Sequence, residues 1–311
     1  MQLSNQQLHR LSVAGRTASA LSLLGVATII ATFCCSSNFR SPTHRIMLIN
    51  AFYNLFDFIA TMISVSGPAA GDGSGLCRFQ AFSLQMFPVA DVLWTLAMTV
   101  DVVLVVFYRY EPEKLRKLEK IYFAIITTLT FIPALVFLFI RSADRGPLYG
   151  SVTFWCSISP NWVLFRIIFY YAPIWLAILL VFVLYIIIGY EIFKLRHELM
   201  LTRTDCFALS STASPSNESV PRTHQNDTKV IETPIIRQQP AVSLRKFLLM
   251  PVLFFLALLT TWVTPTINRI YAFKHPGQEP YGLMVGVAAL GSLRGFWNGI
   301  IFVTMRSKGR R

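Results

Sequence analysis

Seven apolar runs, each long enough to cross a bilayer as a helix, constrain this chain more than any other feature. They lie at 17–36, 45–66, 79–108, 121–140, 163–192, 244–270 and 281–305, and we refer to them as helices I to VII. A hydrocarbon core of about 30 Å takes roughly 20 helical residues to span. No water at that depth is available to satisfy an open strand edge, so the runs must be helices. Composition agrees. Only 14% of residues are charged, against about 25% in soluble domains, and mean hydropathy is +0.54. The expected fold is an all-α membrane protein, a seven-transmembrane helix bundle. Residues 1–16 are polar and show no apolar core of a cleavable signal. They are expected to form an N-terminal tail, with helix I serving as an uncleaved signal anchor.

The formal net charge of +13 would suit nucleic acid if the basic residues formed a stripe interleaved with aromatics. They sit instead between the apolar runs, so nucleic acid is not an expected partner and the excess reads as topology. With the N-terminus outside, 19 of the 28 Lys and Arg fall in inner segments and 7 in outer ones, as the positive-inside rule requires. The expectation is an outer N-tail, helices I–V over 17–195, a cytoplasmic third inner loop over 196–243, helices VI–VII over 244–305, and a short inner tail at 306–311. The middle of the long loop, 210–233, is rich in Ser, Thr, Pro and Asn and is expected to be disordered. It offers hydroxyls to kinases, or serves as a passive tether. Two sequons there, at Asn217 and Asn226, pull against this topology, because glycans on them would place the loop outside.

Cys77 and Cys156 both fall on the outer side under this topology, where a disulfide persists, and are expected to pair. Cys34 and Cys35 lie near the inner end of helix I. Charges inside the spans are the most informative residues, because each costs roughly 2.5–3.5 kcal/mol on insertion scales. Asp57 and Arg294 sit midway along helices II and VII, which predicts an ion pair, with Asp101 of helix III joining it. Asp91, in the outer half of helix III, and Arg166, near the outer end of helix V, lie where an external ligand would arrive; otherwise they pair with each other or with water. With Trp94, Trp262 and Arg294 they form the candidate ligand-binding set. Arg166, Arg269 and Arg294 together would suit an anionic ligand.

Pro265 removes a backbone hydrogen bond in helix VI, with the bulky Trp262 just before it. The pair reads as a hinge, or as a static kink. On the inner side, Arg109, Tyr110, Lys114, Arg116 and Lys117, Lys194 and Arg196, and Arg245 and Lys246 ring one opening. They would anchor to anionic lipid and would also suit a cytosolic partner. No metal-spaced cluster and no nucleophile with a base is evident, so neither an enzyme nor a cofactor is expected. Helix VII has no lysine for retinal.

Three stretches, in order, resemble one receptor family. They are Arg116-Lys117-Leu118-Glu119-Lys120-Ile121-Tyr122, Trp262-Val263-Thr264-Pro265-Thr266-Ile267-Asn268-Arg269 and Gly295-Phe296-Trp297-Asn298-Gly299. They resemble the second inner loop, helix VI and helix VII of the fungal and amoebal cyclic-AMP-receptor-like (class E type) G-protein-coupled receptors. The resemblance covers about 18–304 apart from the long loop. It implies a plasma-membrane receptor that senses an extracellular small molecule, activates a heterotrimeric G protein at the inner ends of helices III, V and VI, and serves nutrient or cyclic-AMP-type signalling. Arg109 follows Tyr108, where the largest receptor class has an acidic residue. Helix VII lacks that class's Asn-Pro-x-x-Tyr motif, so Asn298 is placed in its hydrogen-bonding role within the intramembrane network of Asp57, Asp101 and Arg294. The alternatives are a seven-helix small-solute transporter, for which no three-helix repeat is visible, and an orphan scaffold without a ligand.

Overall fold

The first helix starts inside the polar tail. The Ser4 hydroxyl accepts the Gln7 N–H at 3.2 Å while the Gln7 side chain accepts the Ser4 N–H at 3.0 Å. This capping box launches α1 at Asn5, and the helix runs to Cys35, so the tail expected over 1–16 is mostly helical. The structure is a computed structural model describing residues 4–36, 42–211, 241–275 and 280–304, with side chains described outside 195–211, 241–248, 250 and 273.

The remaining helices are α2 (Pro42–Ile63), the short α3 (Ser66–Ala69), α4 (Gly75–Tyr108), α5 (Pro112–Val136), α6 (Val163–Arg166), α7 (Ala172–Ser211), α8 (Ala241–Lys274), α9 (Tyr281–Leu290) and α10 (Arg294–Thr304). A π-helical stretch, Ile167–Tyr171, joins α6 to α7, and a 3₁₀ turn, Gly291–Leu293, joins α9 to α10. Among the described residues seven helical segments are long and apolar enough to cross a membrane, which makes the chain a multi-pass membrane protein. The fifth continues as helix to Ser211, beyond the expected boundary at 195. The rest of the expected loop, with both sequons, and the tail 306–311 lie outside the described residues.

Pro173 shows how such a bundle tolerates a proline. Its missing N–H leaves the carbonyl of Phe169, one turn back, without its helical donor. The Gln85 side-chain amide of α4 donates to that carbonyl at 2.9 Å. The helix widens into the π stretch at this point instead of breaking, as lipid-embedded helices do when a neighbour supplies the donor.

Glycines decide how α1 meets α10. A methyl added at Gly299 would sit 2.7 Å from the Gly25 Cα, and one at Gly295 would sit 2.8 Å from the Ser22 carbonyl oxygen. Neither position admits a side chain, so the two backbones touch, the small-residue mode by which helices associate in lipid.

At one end of the bundle lies a cap built from β1 (Arg141–Ser142) with β2 (Gly146–Pro147), and β3 (Tyr149–Val152) with β4 (Trp155–Ile158), each pair antiparallel. The expected disulfide is present: Cys77 of α4 is bonded to Cys156 of β4. Sequence reading missed the residue beside it. Gln80, fully buried, accepts the Cys156 N–H at 2.8 Å and donates to the carbonyls of Ala60 and Ser64, tying the hairpin, α2 and α4 at one point. Asp72 accepts the Ser151 N–H at 2.8 Å. Tyr149 donates to the Ala134 carbonyl at 3.1 Å, and burial pushes its phenol pKa up. Phe154, at the β3–β4 turn, packs with Leu11 of α1 and Met284 and Val287 of α9, so the hairpin spans the top of the bundle.

Candidate functional site

Three charges meet at the centre of the helices. Arg294, the first residue of α10, is ion-paired through Nη2 with Asp57 of α2 and through Nε with Asp91 of α4 at 3.2 Å. Asp57 is 4% exposed, Asp91 1% and Arg294 4%. Asn50 and Asn54, one turn apart on α2, each donate to the Asp91 carboxylate at 2.8 Å. The predicted Asp57–Arg294 pair is therefore formed, but the third member differs from expectation. Asp101 accepts from the Tyr122 hydroxyl of α5 at 3.1 Å instead. Helix length explains the exchange. Both α4 and α9 start from the hairpin end, so Asp91 and Arg294 lie at roughly 24 and 20 Å along their helices, whereas Asp101 lies at roughly 39 Å. Asn298, buried one turn beyond Arg294, lines a small gap beside Asn50 and Asn54.

Above this cluster, on the hairpin side, is a partly open cavity of about 820 Å³ between atoms, counting its mouth. Asp57 and Arg294 are on its floor, Tyr170, Tyr171, Trp262 and Arg269 are among its walls, and the β3–β4 turn roofs it. Arg269 donates from Nε to the Tyr171 hydroxyl at 2.7 Å. Trp262 stands 6.0 Å from the Tyr170 ring. The indole N–H of Trp262 and the side-chain oxygen of Asn268, both buried, find no hydrogen-bond partner among the described residues.

The predicted ligand set is thus split. Trp262 and Arg294 line the cavity, while Asp91 lies behind Arg294. Trp94 is fully buried in α4 with Tyr53 at 5.9 Å, and is not part of the cavity lining. Arg166 donates to the Ile158 carbonyl of β4 and anchors the hairpin. Its place at the hairpin end of the fifth span puts it at the cap and outside the cavity lining. Tyr170, Tyr171 and Asn268 carried no charge signal in the sequence and went unnoticed.

At the opposite end, Arg109 closes α4 in a left-handed conformation, φ 52°. Lys114, Arg116 and Lys117 are exposed on the first turns of α5, with the Lys114 ammonium 5.8 Å from the Tyr110 ring. Lys194 is exposed on α7. Arg45 grips the buried Glu119 with Nε and Nη2, the latter at 2.8 Å. The side chains of Arg196, Arg245 and Lys246 lie outside the described residues.

The family model described as slime mold cyclic AMP receptor matches residues 4–199. G-protein coupled receptor 1 of Arabidopsis thaliana is 24% identical over 288 residues, covering 92% of this chain and 75% of that protein. The fold is similar to squid rhodopsin in its crystal structure, with a TM-score of 0.62 at 14% identity over 97% of this chain and 83% of that one. The two sequence matches are to a slime-mold family and a plant protein, so the fungal, class E grouping is no part of what they show. With well over half of its length matched, the chain belongs to the slime mold cyclic AMP receptor family of G-protein-coupled receptors.

Proposed function

We propose that this protein is a plasma-membrane receptor whose hairpin end faces outward, takes an extracellular small molecule into the cavity, and activates a heterotrimeric G protein at the opposite end, in nutrient or cyclic-AMP-type signalling. The observation that carries the reading is the position of Trp262 and Pro265. Both line the cavity, and both belong to α8, the sixth span. A ligand touching them acts on a helix whose backbone is weakened at Thr261, the carbonyl that Pro265 deprives of its donor. That is where a swing of the inner half would start, with Trp262 and Pro265 as the hinge.

The binding set becomes Trp262 and Arg294 by contact, with Asp57, Tyr170 and Asn268 added, and Asp91 acting through Arg294. Coupling falls to Arg109, Tyr110, Lys114, Arg116, Lys117 and Lys194, with Arg196, Arg245 and Lys246 continuing the ring. The basic turn between α4 and α5 suits a negatively charged protein face, since complementary potentials speed encounter.

The test is nucleotide exchange on purified G proteins with the receptor in nanodiscs. Exchange above the empty-disc rate is expected, and Arg116→Glu with Lys117→Glu should abolish it while leaving thermal stability unchanged. Solute uptake into vesicles with no exchange on any G protein tested would overturn the reading in favour of a carrier.

A further inference from the structure

We propose that the cavity takes a small molecule that presents an ammonium group to the Asp57 carboxylate. The inference rests on the cavity being the ligand site, and deepens that reading by naming the ligand's chemistry.

The charge cluster at and behind the floor is out of balance. Two carboxylates face one guanidinium, and all three are at least 95% buried. In a low-dielectric interior a surplus of one negative charge is relieved by a proton or by a positive partner. Asp57 lines the cavity, so a positive partner can be delivered through the mouth. The walls point the same way. Pro88 and Pro265 each take the helical donor from the carbonyl one turn back, at Leu84 and Thr261, and all four residues line the cavity. The Asn268 oxygen is a further buried acceptor with no partner among the described residues. An ammonium carries three donors and no acceptor, which matches these acceptors; the unpartnered Trp262 N–H is left for an acceptor elsewhere on the ligand. The rings of Tyr170, Trp262 and Phe154 surround the space, and aromatic faces attract cations. Arg269, the other cation of the lining, sits with Tyr171; it tolerates a ligand whose far end is neutral or anionic.

This departs from the anion expected when Arg166, Arg269 and Arg294 were read together. Arg294 is already held between two carboxylates, and Arg166 is outside the lining. Cyclic AMP, which the family's description carries, would bring its phosphate towards the Asp57 carboxylate and the Asp91 charge behind it.

The experiment uses the full chain in nanodiscs and thermal unfolding with four size-matched probes: phenethylamine (cation), free phenylalanine (zwitterion), 3-phenylpropionate (anion) and 3-phenylpropan-1-ol (neutral), with cyclic AMP alongside. At a tenfold excess over Kd the two ammonium probes are expected to raise Tm by about 2–4 °C, and the other three to leave it unchanged. Asp57→Asn is expected to fold, because Arg294 keeps Asp91 as a one-to-one partner, and to lose the preference. Asp57→Glu is expected to retain it. Equal shifts from all probes, no shift from any, a larger shift from the anion or from cyclic AMP, or a preference that survives in Asp57→Asn overturns the proposal. No G protein enters this measurement. Amine-selective binding without nucleotide exchange would sink the receptor reading alone, and exchange without amine selectivity would sink this one alone.

Discussion

At Arg294 one guanidinium meets two carboxylates, so substitutions around it divide by charge. Arg294→Gln leaves Asp57 and Asp91 facing each other with no cation between them, and should cost about 3–5 kcal/mol of stability, read as a large fall in Tm or as loss of folded protein on extraction. A milder residue is Gln85. Replacing it by Leu leaves the Phe169 carbonyl unpaired at the π stretch and should cost about 1–3 kcal/mol, measured by the same unfolding assay. The sequence made Asp57 and Arg294 legible because a charge inside an apolar run is rare and costly. It could not show that Asp91 would take the third place, since that depends on where each helix starts and at what angle it crosses its neighbours. Nor could it find Gln80 or Asn268. Amides inside apolar runs look ordinary until the structure shows what they bond to.

Among elements, the α1–α10 seam and the α8 kink make opposite predictions. Gly299→Val forces branched carbons against the Gly25 backbone. It should lower stability by about 1–3 kcal/mol, and a compensating change at Gly25 is unavailable because that residue is already the smallest. Pro265→Ala restores a backbone hydrogen bond and should leave Tm equal or higher, while ligand-stimulated exchange falls; unchanged exchange would make the kink static. Span positions were legible from hydropathy alone, because lipid imposes one rule on every residue of a run. Ends were less so. Apolar content could not place the start of α1, although Ser4 and Gln7 carry the capping signature in plain sight. Nor could it show that α7 continues to Ser211 through residues that leave the apolar pattern.

For the whole molecule, the disulfide and the hairpin set the height of the cap over the cavity. Replacing both Cys77 and Cys156 by Ser removes a link across 79 residues of sequence and should cost about 2–5 kcal/mol, with a matching Tm loss in non-reducing buffer. Because Gln80, Asp72 and Phe154 hold the same hairpin independently, the reduced receptor should unfold at lower temperature yet still bind.

The glycine contact between Gly25 and the Gly295–Gly299 stretch has a consequence for biogenesis. It joins the earliest described span to the latest, so during synthesis α1 must wait in the bilayer until α10 leaves the ribosome. The Cys77–Cys156 bond needs no residue beyond Cys156 to have emerged. Closure of the α1–α10 seam therefore comes after the disulfide can form, and a nascent chain stalled before Gly295 should leave its first helix with an open, backbone-lined groove.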